Sequence, residues 1–249
     1  MLSSLLVSVL ALAFTVVAHP QLRAAPLAQV ITACTKPNTV ALTFDDGPFV
    51  YAYDISKALL AAGGKGTWFL NGDNWDCIYT DDNIKRMKHL KDKGHQLASH
   101  TWTHHNLSTL TRDQLHDEFW RVEQALQRIV GVQPAHMRPP FGAYNDVVRG
   151  VASERGQKIV NWDFYTGDAD EAPVSEQKRV FDEAIGKKPS SILTLMHETY
   201  LGTAHEFLPY AMQKLKAAGY QMVTVAECLG EEPYQWTTTP GTKDSSWKC

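Results

Sequence analysis

The chain has 249 residues, of which 44% are hydrophobic and 10% aromatic, so it can bury one sizeable core and is not disordered as a whole. Lys and Arg total 24 against 27 Asp and Glu, which gives a formal net charge of −3. This balance excludes the broad cationic field that nucleic-acid binding needs, and no polybasic stretch marks a membrane-surface protein. We therefore expect a monomer of one compact domain, with neither nucleic acid nor a membrane as its partner.

The N-terminus has the pattern of an export signal. Residues 5–17 form an apolar run, followed by the small residue Ala18 and then by a polar His-Pro pair. The run is shorter than the about 20 residues that span a bilayer, so a secretory signal peptide is favoured over an uncleaved membrane anchor. We predict a signal peptide over residues 1–18 and an N-terminal segment over 19–33, and we expect the mature protein to be secreted to the extracellular space or cell wall.

Secretion would expose the four cysteines to an oxidising compartment. An even count in an oxidising compartment predicts two disulfides, and no Cys-x-x-Cys pair supports a thiolate zinc site. Spacing alone leaves three pairings open among Cys34, Cys77, Cys228 and Cys249.

Export also gives a meaning to the sequon Asn106-Leu107-Ser108. An Asn in this pattern is an N-glycosylation acceptor in secreted proteins. We predict a glycan on Asn106, with an unused sequon as the alternative.

Strand-like and helix-like segments alternate from residue 39 to the end. Short β-rich or apolar runs predict strands over 39–44, 66–70, 95–99, 136–138, 158–162, 191–195 and 221–223. Helical spacing predicts helices over 51–62, 83–93, 112–130, 145–155, 175–185 and 204–218. In the third helix, Thr111 and Gln114 form a capping box ahead of an apolar stripe that begins at Leu115.

This alternation predicts an α/β fold, a single irregular (β/α) barrel with about seven parallel strands. A doubly wound open sheet is the alternative. The glycine fingerprint of dinucleotide-binding sheets is missing, which argues against that version of the open sheet.

Ionisable residues cluster where the predicted strands end. In chain order they are Asp45, Asp46, His100, His104, Arg138, Asp163, Asp168, His197 and Glu198. The carboxyl ends of parallel barrel strands form the face on which active sites are built, so we expect these side chains to converge there.

Three of these residues form a candidate metal site. His100 and His104 are four residues apart and can converge on one ion, to which Asp46 adds a carboxylate oxygen. Two imidazoles and a carboxylate leave a coordination position open, as catalytic zinc requires. We predict Zn²⁺, with another divalent ion such as Co²⁺ as an alternative and two loop histidines without any ion as a second one.

The other ionisable residues suggest acid–base chemistry. Asp45 is free to act as a general base on a water molecule, with Arg138 as its cationic neighbour. His197 can be the general acid, and Asp168 can orient its imidazole. Base, metal and acid together indicate metal-assisted hydrolysis of an acyl group.

The motifs that carry these residues resemble the five ordered motifs of the polysaccharide deacetylases, also called the NodB homology domain or carbohydrate esterase family four. They are Thr43-Phe44-Asp45-Asp46-Gly47-Pro48, His100-Thr101-Trp102-Thr103-His104, Arg138-Pro139-Pro140-Phe141-Gly142, Trp162 with Asp168, and Leu195-Met196-His197. The resemblance covers residues 34–230, which we predict to be the catalytic domain, followed by a tail over 231–249. Flanking segments near Trp75 and Cys228 look most like secreted fungal chitin deacetylases.

The resemblance implies a role for each motif residue. Asp45 would be the base oriented by Arg138, and His197 the acid held by Asp168. The zinc ligands would be Asp46, His100 and His104. The remaining substrate contacts would be the backbone N–H of Phe141 at the oxyanion, Trp162 and Leu195 around the acetyl methyl, and Trp75 and Tyr144 against the sugar.

Three positions depart from the family pattern. The family usually has Tyr in place of Phe141, which matters little if only the backbone donates. Tyr165 stands where related fungal sequences have an acidic or amide residue, and Ala169 where they often have an aromatic residue. The shape of the subsites beside the acid is therefore left open.

The resemblance also bears on the disulfides. It implies that Cys34 pairs with Cys228, and neighbouring first and seventh strands would bring these two residues together. Cys77 and Cys249 then remain to pair, with a free or interchain terminal cysteine as the alternative.

The implied reaction is hydrolysis of N-acetyl groups on chitin or chito-oligosaccharides, which gives acetate and glucosamine units. O-acetyl xylan esterase and peptidoglycan deacetylase activities are enzymatic alternatives. A non-catalytic chitin-binding protein is the alternative from another functional class.

Overall fold

The computed structural model describes residues 26–249. The predicted signal peptide and the start of the 19–33 segment lie outside the described residues. None of the helices in the described part is both long and apolar enough to cross a membrane.

A ten-stranded sheet forms the centre of the fold, and all its strand pairs are parallel. Its strands are β1 (Val30–Ile31), β2 (Thr39–Ala41), β3 (Thr43–Gly47), β4 (Thr67–Leu70), β5 (Gln96–Ser99), β7 (His136–Met137), β8 (Lys158–Val160), β9 (Phe164–Tyr165), β10 (Ser191–His197) and β11 (Gln221–Val223). A separate antiparallel pair joins β6 (Val132–Pro134) to β12 (Tyr234–Thr237).

Helices cover the outside of this sheet. They are α1 (Ala52–Ala61), α2 (Asp81–Asp92), α3 (Arg112–Val130), α4 (Asp146–Glu154), α5 (Val174–Gly186), α6 (Leu208–Ala217) and α7 (Val225–Leu229). The capping box predicted for α3 forms between Thr111 and Gln114. The helix predicted over 204–218 differs, because a π-helical turn over Thr203–Phe207 precedes α6.

The sheet is buried on both faces, as a parallel sheet covered by helices should be. In β4, Trp68 and Leu70 belong to the cluster that packs on the outer helices, whereas Phe69 belongs to a smaller cluster with Ala41, Ala98 and Leu193. Alternate residues of one strand thus face opposite sides.

The predicted α/β class and parallel sheet are confirmed, but the predicted barrel is not closed. Within residues 26–249 the sheet runs β1-β8-β7-β5-β4-β3-β10-β2-β11, with β9 paired to β10, and its two end strands do not pair. The short strand β1 takes the edge of β8. Among the described strands, β8 and β10 do not pair with each other. Instead β9, which follows β8 along the chain, pairs with β10.

The first and seventh predicted strands are neighbours, since β11 pairs with β2. Cys34 lies just before β2 and Cys228 lies in α7 just after β11, and the two form a disulfide with Cα atoms 5.3 Å apart. A second disulfide joins Cys77 to Cys249. The tail reaches it by pairing β12 with β6 and by packing Trp247 against the core.

Removing the first disulfide should destabilise the fold strongly. Replacing Cys34 and Cys228 together by Ala is expected to lower the free energy of unfolding by up to about 5 kcal/mol, because the bond restricts most of the unfolded chain. Urea denaturation measures this loss. The matched Cys77 and Cys249 double variant should lose nearly as much, since closure entropy changes only weakly between sequence separations of 194 and 172. Unchanged stability in the first variant would contradict this account.

Candidate metal and catalytic site

An irregularity in β3 brings two adjacent carboxylates to one site. In a regular strand, successive side chains point to opposite faces. The register with β4 shifts between Asp45 and Gly47, and the intervening Asp46 has a φ of 72°. Such a bulge redirects a side chain, so Asp45 and Asp46 can both face the cavity at the carboxyl end of the sheet.

The loop after β5 carries the two histidines. His100 donates from Nδ1 to the backbone carbonyl of Arg138 at 2.7 Å, so its Nε2 is left with a free lone pair. Burial lowers the pKa of His100 to about 3, which keeps the ring neutral as a metal ligand must be. His104 lies four residues later in the same loop and packs edge-on against His100, with ring centroids 4.9 Å apart.

The predicted ligand set converges on one point. Asp46 Oδ1 lies 3.6 Å from His100 Nε2 and 3.3 Å from His104 Nε2, and the three ligand atoms are all within 4.8 Å of one another. Asp46 Oδ1 is buried and has no hydrogen-bond partner. A buried carboxylate oxygen without a partner is costly unless something cationic binds it, so these residues fit a divalent metal ion.

Asp45 is held by a buried cation. Arg138, which is fully buried, donates to Asp45 Oδ1 at 2.8 Å and also to Thr43 and to the Val160, Asn161 and Thr194 carbonyls. Burial raises the pKa of Asp45 above its usual range, and the charge of Arg138 opposes that shift. A carboxylate with a raised pKa and a fixed position is suited to accept a proton.

His197 ends β10 on the other side of the cavity. Its Nδ1 bonds to Asp168 Oδ1 at 3.0 Å and its backbone N–H donates to Asp168 Oδ2 at 2.8 Å. Thr203 and the backbone N–H of Ala169 also donate to this carboxylate. Burial lowers the pKa of His197, but the hydrogen bond and charge of Asp168 outweigh it and raise the pKa to about 9. The imidazolium form is therefore favoured, with Nε2 left for a substrate.

These groups share one cavity of about 390 Å³. It is lined by Asp45, Asp46, His100, His104, Pro139, Phe141, Trp162, Tyr165, Ala169, Asp170, Leu195, His197 and Tyr200. The structure thus brings together most of the residues predicted from the sequence, with Arg138 and Asp168 directly behind them. Trp75 and Tyr144 do not line the cavity; both are exposed, by 49% and 38%.

Two residues near the site had no role predicted from the sequence, Tyr200 and Glu198. Tyr200 lines the cavity and packs edge-on against His197, and its ring lies 6.2 Å from that of Trp75. Glu198 is fully buried and accepts from Trp68 Nε1 at 2.7 Å and from the backbone N–H of Phe49 at 2.6 Å. Both residues follow His197 at the carboxyl end of β10. Residues at this end of a parallel strand often line an active site, and this position was the sequence signal for both.

Comparisons with known proteins agree with this geometry. A family model described as polysaccharide deacetylase matches residues 32–160. A chitin deacetylase of Pestalotiopsis sp is 35% identical over 216 residues, which cover 87% of this chain and 72% of that protein.

Solved structures give the same result. The chitin deacetylase from the fungal pathogen Colletotrichum lindemuthianum superposes with a TM-score of 0.81 at 30% identity, covering 86% of this chain and 96% of that one. A family 4 carbohydrate esterase from Streptomyces lividans, solved in complex with acetate, gives a TM-score of 0.65 at 27% identity over 76% of this chain and 93% of that one. The matched family model, the similar sequences and the shared fold establish that this chain belongs to the polysaccharide deacetylase family.

Proposed function

We propose that this protein hydrolyses the N-acetyl groups of chitin or chito-oligosaccharides, with residues 34–230 as its catalytic domain. One observation carries the proposal: the Asp46, His100 and His104 cluster lies in a single cavity between a carboxylate held by Arg138 and an imidazole held by Asp168. The relatives named above include chitin deacetylases, which supports this choice of substrate.

The metal would be held by Asp46, His100 and His104. Zn²⁺ suits two imidazoles and one carboxylate, and Co²⁺ is the alternative ion for the same donors. A divalent ion bound there would polarise the acetyl carbonyl and lower the pKa of a bound water molecule.

Asp45 and His197 divide the proton transfers. Asp45 accepts a proton from the attacking water as the new C–O bond forms, and Arg138 keeps the carboxylate aimed at the cavity. His197 donates its Nε2 proton to the amide nitrogen as the C–N bond breaks, which turns a poor leaving group into a free amine. Acetate and a glucosamine unit are the products.

The remaining cavity residues fit an acetyl group. Trp162 and Leu195 supply an apolar surface for the methyl, and the backbone N–H of Phe141 is assigned to the developing oxyanion. Tyr165 and Ala169 border the acid side of the cavity. These two departures from the family pattern would shape the neighbouring sugar subsites.

The substrate assignment is tested by acetate release from chitohexaose, acetylxylan and peptidoglycan at equal acetyl concentration. We expect release from chitohexaose to be the fastest, with products that lose acetyl groups by mass spectrometry. Faster release from acetylxylan would assign the protein as an ester hydrolase, and faster release from peptidoglycan would assign it to that polymer. Binding to chitin with no acetate released from any substrate would make it a binding protein.

Trp75 is proposed as a stacking surface for a sugar beyond the cavity, since its exposed ring lies next to Tyr200 and Phe49. Replacing Trp75 by Ala should raise KM for chitohexaose about 2- to 10-fold and leave kcat almost unchanged, because an aromatic contact is worth about 0.5–1.5 kcal/mol. Trp120 on α3 is similarly exposed and is the matched control. Equal effects of the two substitutions on KM would contradict a stacking role for Trp75.

Secretion, a monomeric state and a glycan on Asn106 complete the proposal. Two disulfides and the secreted character expected from the N-terminal sequence support export. The Asn106 side chain accepts a hydrogen bond from the backbone N–H of Ser108 and caps the turn over Leu107–Thr109. The test is the mass of the secreted protein before and after glycosidase treatment, and we expect the treatment to lower it.

A further inference from the structure

The loop that carries the two metal-binding histidines has an unfavourable backbone. Thr101 and His104 both have positive φ, at 74° and 59°. Residues other than glycine seldom adopt this left-handed region, and they keep it only where the surrounding structure holds them there. The geometry of the two histidine ligands therefore depends on what holds this loop.

One side of the loop is held from the segment after β4. Asn71 Nδ2 donates to the carbonyls of His100 and Thr101 at 2.5 and 2.9 Å. The backbone N–H groups of Gly72 and Asp73 both donate to the Trp102 carbonyl. These bonds hold the beginning of the loop and leave its second half, next to His104, to be held by something else.

Glu118 of α3 holds that second half. Thr103 donates from its backbone N–H to Glu118 Oε2 at 2.8 Å and from its hydroxyl to Glu118 Oε1 at 2.5 Å. Because the hydroxyl proton is used in this way, the His105 ring must donate to the Thr103 oxygen with which it is hydrogen-bonded. Both oxygens of one carboxylate are thus bound to the residue that precedes His104.

Glu118 is itself a rigid support. It is only 7% exposed, and its neighbours along α3 include the fully buried Leu115 and Phe119. The helix begins with a capping box, so its first turns are fixed by both packing and hydrogen bonds. Glu118 is not among the residues that line the catalytic cavity; it lines a separate cavity together with Thr103 and His105.

We propose that Glu118 is a positioning residue of the metal site: its carboxylate clamps Thr103 and thereby holds His100 and His104 in ligand geometry. This inference rests on the proposed metal function of the two histidines. Replacement by Gln removes the negative charge that strengthens both bonds and turns an N–H₂ group toward the Thr103 hydroxyl, so the hydroxyl can no longer donate there and any remaining bond runs in the opposite direction. The loop then spends less time in its ligand-competent conformation, and the apparent metal affinity falls in proportion.

The test is zinc affinity, measured by competition with a chromophoric chelator on the full folded protein. We expect Glu118→Gln to bind zinc about tenfold more weakly than the wild type, in the range found when groups that orient metal ligands are removed. At saturating zinc its kcat should return to within about twofold of the wild type, because the substitution changes how often the site is formed rather than its chemistry.

Asp117→Asn is the matched control, because Asp117 is the exposed acid beside Glu118 on the same helix. It removes the same charge without touching Thr103, so its zinc affinity should stay at the wild-type value. Equal weakening in both variants would assign the effect to charge and overturn the clamp. Wild-type zinc affinity in Glu118→Gln would overturn it as well, even if its melting temperature fell.

A second variant covers the case in which Glu118→Gln does not fold. Thr103→Val removes only the hydroxyl bond and keeps the backbone bond, so it should weaken zinc binding by a smaller factor than the loss of Glu118. Unchanged affinity in this variant would then reject the proposal. The metal function is judged separately: if wild-type protein and His104→Ala bind zinc equally, the proposed site fails, whatever the Glu118 variants do.

Discussion

Replacing Asp45 by Asn is expected to lower kcat by about 10²–10⁴ while the bound metal is retained, because a general base contributes that much. An Asn side chain can still accept the hydrogen bond from Arg138 at Oδ1, so the local structure should persist. It cannot accept the proton of the attacking water. Acetate release and elemental analysis of the same preparation measure both halves of this expectation.

Asp46→Ala provides the contrast. This residue supplies the unpartnered Oδ1 between the two histidines, so its loss should lower metal occupancy as well as activity. Asp45 would then control turnover, and Asp46 would control metal occupancy. Equal loss of zinc from both variants would overturn the division of roles between Asp45 and Asp46.

Replacing His197 by Ala is the second substitution with a large expected effect, again about 10²–10⁴ in kcat for loss of the general acid. The imidazole must be protonated to act, and it is protonated below its pKa, which is raised to about 9. Activity of the wild type should therefore fall as the pH rises through the pKa of this group. In His197→Ala this alkaline limb should be absent and the bound zinc retained.

Asp168→Asn tests the same group without removing it. Its carboxylate raises the pKa of His197, so the neutral amide should move the alkaline limb of the kcat profile to lower pH. Asp170→Asn removes an equal charge two residues away and is the control, because the contacts of His197 are to Asp168. An unmoved limb in Asp168→Asn, or equal shifts in the two variants, would assign the acid elsewhere.

The sequence predicted those parts of the fold that follow from hydrophobic period and from strand ends. The strands later seen as β3, β5 and β10 could be placed, and with them the ionisable residues at their carboxyl ends. Helix α3 was recognisable because its apolar spacing and its capping box agree. These patterns are local, so they can be recognised in a single sequence without the folded structure.

Other features depend on distant contacts. The bulge at Asp46 and the positive φ at Thr101 leave no local signature, because neither residue is Gly. The two-residue strand β1, which pairs with β8 at one end of the open sheet, is too short to be recognised by alternation. The support given by Glu118 to Thr103 joins residues fifteen positions apart across a loop and a helix, and only the folded chain brings them together.

The proposed N-acetyl hydrolysis requires a metal ion at the Asp46, His100 and His104 site. The most direct test is acetate release from chitohexaose by metal-free protein to which zinc is added back in increments. We expect no release without metal, and then a rise that saturates at one zinc per chain in the wild type and does not appear in His104→Ala. Acetate release that is equal with and without metal, or equal in the two proteins, would contradict this requirement.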